Sequence, residues 1–335
     1  LRIRLNKDVI NEIFFKYYFK YYIKEIILKI NGDSVIPNLP PLPLIKNTEV
    51  NIPELAEQKK ISDILSTLDQ KIENNKKFLT EIENQIKLIY NYWFNQFEFP
   101  DFQDKPYTSS GNRLKWNKKI KRNIPTDWHV EKISELMEIN KSGDWGKEKK
   151  EGNYSRKVIC IRGADIDALN GKNILIPQIR YILEKNSSKI LKQNDIIIEI
   201  SGGSPIQSTG RIAYLSEFTF ERFGTPIICS NFCRPIKVKN GKLFYYFIYW
   251  WKNLFDSDVF FNYEGQTSGI KNLLFEDFIQ NNYLIIPNNE ILDKFNHLIS
   301  NLEKQRQKII KEIDNLDKVR NWLLPLLMSK KLKVK

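Results

Sequence analysis

Residues 51–94 read NIPELAEQKKISDILSTLDQKIENNKKFLTEIENQIKLIYNYWF, and this stretch decides the architecture of the chain. A second stretch, residues 285–328, repeats its pattern as IIPNNEILDKFNHLISNLEKQRQKIIKEIDNLDKVRNWLLPLLM. In both, apolar residues recur at steps of four and three, which is the heptad pattern of paired helices. The repeat predicts two long helices, each following a similar module.

The two heptad seams share one register, since adding 234 to a seam position of the first stretch gives a seam position of the second. We expect the first helix to pair through Ile61, Leu65, Leu68, Ile72, Asn75, Leu79, Ile82 and Ile86. We expect the second to pair through Phe295, Ile299, Leu302, Arg306, Ile309, Ile313, Leu316 and Arg320. Polar members of an apolar seam commonly fix register and partner. The sequence therefore predicts that the helices near 56–94 and 289–324 pack antiparallel and hold two modules at a set distance.

Bulk properties limit the class of protein. At 335 residues the chain is long enough for two globular domains with helical connectors. The net charge of +13 favours an acidic partner such as nucleic acid, although the abundance of Lys, Asn and Ile also fits AT-rich coding sequence. The three cysteines and two histidines are too few for a disulfide framework or a metal site, and they fit a reducing cytosol. The aromatic run FFKYYFKYYIKEIIL is broken by lysines, so no membrane span is expected.

The composition divides the chain into five segments. They are residues 1–52, a carboxyl-terminal remnant of a first domain; 53–97, a central spacer helix; 98–113, a linker; 114–288, a second domain; and 289–335, a second spacer helix that ends near Pro325 and a basic tail. Because the chain opens with Leu1 in what reads as the end of a domain, we expect a fragment. The second domain mixes short β-rich runs with one aromatic helix near 243–255, which we expect to be buried. The predicted class is α+β, with mixed α/β modules joined to two long helices that form an antiparallel coiled coil.

Motifs that carry catalysis are missing. No Gly-rich turn ends in Lys-Ser/Thr, and the glycine runs at 142–149 and 201–211 fit neither a P-loop nor the dinucleotide fingerprint. An adenine methyltransferase needs Asp/Asn-Pro-Pro-aromatic, but the Pro-Pro pair in NLPPLPL lies between leucines. In NDIIIEIS, Ser201 stands where a metal-dependent nuclease needs lysine. We expect no catalytic residues and no metal site.

Several motifs together resemble the specificity subunit of type I restriction–modification systems. IPELAEQKKISDILSTLDQKIENNKK, residues 52–77, is similar to the central spacer helix of that family, and WLLPLLMS, residues 322–329, to its carboxyl end. IPTDWHVEKISEL resembles the start of the second target-recognition domain. IRGADI, NDIIIEISGGSPIQSTGR and GQTSGIKNL resemble the internal motifs of that domain. The resemblance covers nearly the whole chain, but only residues 1–52 stand for the first recognition domain.

This resemblance implies a bacterial, cytoplasmic DNA-binding subunit that does no chemistry itself. Family members hold two recognition domains apart with paired antiparallel helices, which act as a ruler. The implied partners are double-stranded DNA, modification (methyltransferase) subunits and restriction (translocase/nuclease) subunits, with no membrane. S-adenosylmethionine, ATP and Mg belong to those partner subunits, so we expect no cofactor in this chain. The alternative is a helical scaffold or adaptor with a β-rich protein-binding domain, and salt-dependent binding to duplex DNA would separate the two.

The candidate DNA contacts lie in loops of residues 114–288. KSGDWGK combines turn residues with an aromatic side chain and lysines, while the glycines of SGGSPIQSTGR and GQTSG let a backbone approach a groove closely. The residues assigned to DNA binding are Lys141, Ser142, Asp144, Trp145, Lys147, Arg162, Ser201, Gly202, Gly203, Ser204, Gln207, Arg211, Gln266, Thr267, Ser268 and Lys271. Gln207 suits adenine edges and Arg211 suits guanine or phosphate. Each loop could instead be turn chemistry that stabilises the domain.

A basic run precedes this domain. KWNKKIKRN, residues 115–123, holds five cations and no acid. Contact with phosphates and a solvated charge run are both open interpretations. We expect residues 114–288 to bind duplex DNA as an isolated domain and residues 1–52 not to bind it.

Overall fold

The computed structural model of the chain describes residues 3–31, 43, 49, 51–174, 176, 178–204, 206–267 and 270–332. For residues 24–31 and 266–267 the description is of the backbone. The Pro-rich passage that follows Gly32, the candidate Ser268 and the end of the basic tail lie outside the described residues.

Helices and short strands alternate through the described chain. The helices are α1 (Glu12–Asn31), α2 (Leu55–Tyr90), α3 (Ile166–Leu169), α4 (Glu217–Phe223), α5 (Phe244–Asp256), α6 (Phe275–Asn281) and α7 (Asn289–Met328). The strands are β1 (Leu114–Asn117), β2 (Arg122–Pro125), β3 (His129–Lys132), β4 (Met137–Glu138), β5 (Tyr154–Ile161), β6 (Gln178–Leu183), β7 (Ile196–Glu199), β8 (Ser201–Gly202), β9 (Ile212–Tyr214), β10 (Ile227–Cys229), β11 (Cys233–Val238), β12 (Glu264–Thr267), β13 (Ile270–Leu273) and β14 (Tyr283–Ile286). This arrangement confirms the predicted α+β class, and α2 and α7 are the two long helices that the heptad pattern predicted.

Helix α7 extends further than the sequence indicated, because it continues through Pro325 to Met328. Proline lacks a backbone N–H and is unfavourable inside a helix. Here Leu327 and Met328 are buried in one cluster with Phe14 and Leu65, and this burial offsets the lost hydrogen bond. The expected end near residue 324 is therefore wrong by about one helical turn.

The chain forms two compact units. Unit 1 comprises Leu1–Lys77 and Glu312–Lys335, and unit 2 comprises Phe78–Lys311. Each long helix contributes one segment to unit 1 and the other segment to unit 2. Unit 2 is thus wider than the segment 114–288 that the composition indicated.

In unit 1, the first part of α2 and the last part of α7 run antiparallel. Arg320 Nη1 donates to Asp69 Oδ1 at 2.8 Å, and Lys71 pairs with Glu312 at 3.4 Å. The hydroxyl of Tyr17 on α1 donates to Asp69 Oδ2 at 2.6 Å. Asp69 therefore connects α2 to α1 and to α7.

In unit 2, the remaining parts of α2 and α7 are also antiparallel. The ring centroids of Tyr90 and Phe295 lie 6.4 Å apart, and at the other end of these segments Leu79 and Ile310 both pack against Gly171. A side chain on Gly171 would meet both of them at under 3 Å, so glycine is required for this approach. These pairings agree with an antiparallel coiled coil.

Most of the expected seam residues are buried: Ile61, Leu65, Ile72, Asn75, Leu79, Ile82, Ile86, Phe295, Ile299, Arg306 and Ile313. Leu68, Leu302, Ile309, Leu316 and Arg320 are half-buried. Ile310, which the heptad count did not include, is buried beside the half-buried Ile309 because it packs against Gly171.

Arg306 contacts the β-rich part of unit 2. Its Nη2 donates to the carbonyl of Asn170 at 2.7 Å, and its Nη1 lies 3.2 Å from the carboxylate of Glu303. That carboxylate also accepts hydrogen bonds from the hydroxyls of Tyr214 and Tyr249. Burial alone would lower the pKa of Arg306, but the charge of Glu303 and the smaller contributions of Tyr249, Tyr214 and Glu83 together outweigh it, so the pKa is raised. The buried guanidinium thus holds α7 against this module.

The described strands form small sheets in the orders β10-β5-β6, β4-β11-β7-β9, β12-β13-β8, β1-β2 and β14-β3. Only the β10–β5 pair among them is parallel. The aromatic helix α5 is buried as expected, and Trp251 Nε1 donates to the carbonyl of Gly210 at 2.7 Å. The largest core joins α5, the sheets other than β10-β5-β6, and the parts of α2 and α7 that belong to unit 2. The β10-β5-β6 sheet contributes to separate, smaller clusters.

Candidate nucleic-acid interface

The two candidate glycine loops meet on one three-stranded sheet. Strand β13 lies between β12 and β8, so that Lys271 is opposite Gln266 on one side and Gly202 on the other. At the next position of β13, Asn272 is opposite Ser201 of β8. The Ser201 hydroxyl donates to the Asn272 side-chain oxygen at 2.5 Å. Residues that lie about 65 positions apart in the sequence are thereby brought to one surface.

The loop that follows β8 reverses in a tight turn. Ser204 N–H donates to the Gln207 carbonyl at 2.9 Å, and Gln207 N–H donates back to the Ser204 carbonyl at 3.2 Å. Gly202 and Gly203 approach this turn with φ of 140° and 71°, a backbone region that favours glycine. Since β8 is antiparallel to β13, the turn lies at the same end of the sheet as the β12–β13 connection.

Glu264 holds the base of this loop. Its carboxylate accepts a hydrogen bond from the Thr209 N–H at 2.7 Å and pairs with the Lys271 ammonium at 2.9 Å. Ser208 and Thr209 are buried, and Gly210 packs against the ring of Phe260. The loop is therefore anchored at its base and exposed at its turn. The ammonium of Lys271 remains only partly accessible.

Arg211 lies behind the loop and not on its exposed side. Its Nε and Nη2 donate to both oxygens of Glu199 at 2.9 and 2.6 Å, and its Nη1 donates to Asp167 at 2.8 Å. The hydrogen bonds to Glu199 raise the pKa of Arg211 further. Gly163 and Gly202 both face the Glu199 carboxylate, and a side chain on either would collide with it. Two of the motifs that the sequence singled out, IRGADI and NDIIIEISGGSPIQSTGR, are thus built around one buried carboxylate.

Arg162 is held locally but reaches the surface. Its Nε and Nη2 donate to the two oxygens of Asp165 at 2.8 and 2.7 Å. About a third of the Arg162 side chain is exposed, whereas Asp165 is buried. This pair fixes the orientation of a partly accessible guanidinium.

The loop 141–147 lies against a different sheet, the one formed by β10, β5 and β6. Asp144 N–H donates to the Cys229 carbonyl at 2.8 Å, and the Asp144 carboxylate accepts from Asn186 at 2.6 Å. At one end of the loop, Lys141 pairs with the buried Asp195 at 2.5 Å. Strand β7 begins next to Asp195 and ends at Glu199, so it spans the distance between this loop and the glycine loops.

Trp145 is an exposed member of the same loop. Its side chain is 41% exposed, and the guanidinium of Arg180 lies 4.6 Å from the ring centroid. Lys147 pairs with Glu151 at 2.9 Å and lies over Tyr154, while Ser142 is exposed. The loop therefore presents a flat aromatic surface beside cations, which is a surface suited to bases or sugars.

The basic run forms a hairpin, β1–β2, in which Asn117 is opposite Arg122. Lys118, Lys119 and Lys121 lie at its exposed turn, and Trp116 is 59% exposed on its first strand. The sequence drew attention to this run but did not assign its residues to DNA binding.

Two contacts place the hairpin turn near the base of β12. Lys119 Nζ lies 5.3 Å from the ring centroid of Tyr283. The neighbouring Asn282 accepts a hydrogen bond from the Tyr263 hydroxyl at 3.2 Å, and Tyr263 directly precedes β12.

Sequence reasoning also missed Ile206, an apolar residue in the turn Ser204–Gln207. The signal available for it was an isoleucine inside a Gly/Ser/Pro loop.

Reactive groups are scarce in the described part of the chain. The three cysteines are buried, and burial raises the pKa of Cys160 and of Cys233 to about 12, so their thiols are protonated at neutral pH. Among the described residues, no group of His, Cys, Asp and Glu side chains is arranged to hold a metal ion. None of the helices in the described ranges has the length and apolarity that crossing a membrane requires.

The sequence of the chain matches one protein family, and its fold is similar to that of a solved structure. A family model described as type I restriction modification DNA specificity domain matches residues 2–84 and 125–318, well over half of the chain. The specificity subunit of the type I restriction enzyme MjaIX of Methanocaldococcus jannaschii is 27% identical over 331 residues, which are 97% of this chain and 70% of that protein. The crystal structure of the S subunit of a type I restriction–modification system from M. genitalium has a similar fold, with a TM-score of 0.50 at 17% identity, over 96% of this chain and 74% of that one. The chain therefore belongs to the family of type I restriction–modification DNA specificity proteins.

Proposed function

We propose that this chain recognises a short sequence in duplex DNA through the loops of unit 2, as a non-catalytic specificity subunit. The observation that carries the proposal is the meeting of the two glycine loops on the β12–β13–β8 sheet in a member of this family. Base readout needs fixed donors and acceptors at a surface that can enter a groove. The anchored turn Ser204–Gln207 and the partly accessible Arg162 meet that need.

The electrostatic part of binding comes from the hairpin β1–β2. Its turn carries Lys118, Lys119 and Lys121, all exposed, and acidic residues are absent between Arg113 and Thr126. Contacts with phosphates position a protein on DNA but carry no base preference. We assign the hairpin to phosphates and the loops of the β12–β13–β8 sheet to bases. Arg211, which forms ion pairs inside the unit, is assigned to the support of the loop.

The proposed partners follow from the family. Modification and restriction subunits would dock on the chain and supply S-adenosylmethionine, ATP and Mg chemistry, so that this chain needs no cofactor of its own. The exposed faces of α2 and α7 are the proposed docking surfaces, because their seam faces are already packed. The antiparallel pairing of these helices would keep the bound half-site at a set distance from the other module. We propose the cytoplasm, where these partners act, as the location.

The test is selection from a randomised duplex DNA pool with the purified full chain, followed by affinity measurements across a salt series. We expect one short motif to be enriched. We also expect the logarithm of affinity to fall linearly with the logarithm of salt, as counterion release requires. The purified chain should not methylate DNA when supplied with S-adenosylmethionine alone. An adaptor that binds only protein would enrich no sequence and would show no steep salt dependence.

A further inference from the structure

Ile206 is the most exposed large apolar side chain in the described part of the chain, at 93%. Single exposed apolar residues are common on protein surfaces, so exposure alone has little weight. The position of Ile206 is what distinguishes it. It lies within the turn that two backbone hydrogen bonds close between Ser204 and Gln207.

The residues that follow this turn are held in place by the rest of unit 2. The loop behind it is anchored through Thr209 N–H to Glu264 and through the buried Ser208 and Thr209 side chains. An isoleucine is also stiff at χ1 because it is branched at Cβ. Its methyl groups therefore project from a supported turn at little entropic cost.

The neighbours of Ile206 are suited to a base edge. Gln207 follows it directly and Ser204 lies two residues before it, and both side chains can donate and accept hydrogen bonds. Ile270, on the adjoining end of β13, is 47% exposed. Because β8 and β13 are antiparallel with Gly202 opposite Lys271, Ile270 stands at the same end of the sheet as the turn. The turn end of the β12–β13–β8 sheet thus presents the apolar side chains of Ile206 and Ile270 close to the polar residues Ser204 and Gln207.

Duplex DNA offers one matching feature in the major groove. The C5-methyl group of thymine is an apolar group that lies beside a hydrogen-bond acceptor, and it distinguishes A·T from the other pairs. We propose that Ile206 contacts a thymine methyl group and so determines one A·T position of the target. This inference rests on the proposed DNA-binding function and adds to it a residue that specifies sequence.

The experiment compares the full chain with Ile206→Ala and Ile206→Val in selection from the randomised duplex pool. Ile176→Ala is the matched control, since Ile176 is 73% exposed but lies outside the glycine loops. In the motif selected by the unaltered chain, each thymine is then replaced singly by uracil, which removes only the methyl group. We expect one such replacement to weaken binding by about four- to tenfold, because a methyl group that was shielded from water is then missing.

The Ile206→Ala variant should lose preference at that same position and should bind the thymine and uracil duplexes equally well. This coupling between protein and DNA changes is the signature of a direct contact. Ile206→Val should retain part of the preference, Ile176→Ala all of it, and the salt slope should be unchanged because no charge is altered.

Four results would overturn the inference. If Ile206→Ala selects the same motif with the same affinity, or if no uracil replacement weakens the unaltered chain, Ile206 does not read a methyl group while the proposed function stands. If Ile206→Ala weakens all positions evenly and keeps its sensitivity to uracil, the residue only shapes the loop. If the unaltered chain enriches no motif at all, the proposed function fails and the inference fails with it.

Discussion

Arg211 and Glu199 form a two-bonded ion pair beneath the glycine loop, with Nε–Oε2 and Nη2–Oε1 distances of 2.9 and 2.6 Å. Only 2% of the Glu199 side chain and 14% of the Arg211 side chain are exposed. A carboxylate that is buried to this degree is stable only when it is paired and hydrogen-bonded. The pair is therefore a support on which the loop rests.

We expect Arg211→Ala to lower the free energy of unfolding by about 3–5 kcal/mol, because it leaves Glu199 as an unpaired buried charge. Arg211→Lys should be destabilising as well, since an ammonium cannot reproduce the planar two-bonded contact. Urea unfolding of the full chain, with Arg222→Ala as a control at an arginine of helix α4, measures both effects. An unchanged urea midpoint for Arg211→Ala would show that the ion pair does not support the loop.

The hairpin β1–β2 provides a test of phosphate contact. The double variant Lys118→Ala/Lys121→Ala should weaken binding to all duplex sequences evenly and should reduce the salt slope by about two, since each phosphate that a lysine neutralises adds about 0.9 to the slope. Lys304→Ala/Lys308→Ala, two exposed lysines of α7, is the control and should leave the slope unchanged. Anisotropy titrations of a labelled duplex over a salt series give these slopes. Equal slopes for all three proteins would show that the lysines of the hairpin do not contact phosphates. The hairpin would then be a solvated charge run, which is the other interpretation that the sequence left open.

Glu83 on α2 makes the stability of unit 2 depend on pH in the acid range. Lys252 of α5 lies 3.2 Å away, and its charge lowers the pKa of Glu83 to about 2. A carboxyl group whose pKa is lowered by folding stabilises the folded state above its unfolded pKa of 4.5, and this stability is lost as the pH falls toward 2. The loss is up to about 3 kcal/mol, reduced by solvent screening because 31% of the Glu83 side chain is exposed.

The measurement is the urea midpoint between pH 6 and pH 3, for the full chain and for Glu83→Gln. The variant should be less stable at pH 6 and should lose less stability on acidification, because the glutamine amide does not titrate. Asp293→Asn, a change in an exposed surface pair with Lys242, is the matched control and should follow the unaltered chain. If the urea midpoints of Glu83→Gln and of the unaltered chain fall in parallel as the pH is lowered, Glu83 is not the source of the acid sensitivity.

The extent of unit 2 predicts which fragment folds. Phe94 and Phe295 lie outside residues 114–288 but belong to the core that contains Trp128 and Trp251. A polypeptide of residues 78–311 should therefore unfold cooperatively, whereas one of residues 114–288 should be loosely packed because it exposes this aromatic surface. Near-ultraviolet circular dichroism and urea unfolding distinguish the two. Cooperative unfolding of 114–288 at the same urea midpoint would restore the narrower domain that the composition indicated.

The elements whose signal is local or periodic could be predicted from the sequence. The heptad steps from Ile61 to Ile86 and from Phe295 to Ile313 follow from helical geometry, because residues three and four apart share one face. The β-rich runs around Ile159 and Ile197 are strands for an equally local reason, and the large aromatic and apolar side chains that recur around α5 predicted its burial. Pro325 was misjudged because the packing of Leu327 and Met328, which offsets the helix defect, involves residues that are distant in the sequence.

What only the tertiary structure decided is which polar groups meet. Arg211 and Gln207 belong to one loop, and the sequence indicates both as candidate DNA contacts. Arg211 nevertheless points inward, because Glu199 and Asp167 bind its guanidinium there. Arg306, expected in the helix seam, turns to the Asn170 carbonyl for the same reason. The sequence by itself determined the helices, the strands, the repeat and the family. Whether a charged side chain points inward or outward depends on partners that are distant in the sequence and that the sheet register and the core bring close. The physical reason is that burying a charge is favourable only where a partner of opposite charge or a hydrogen-bonding group is present.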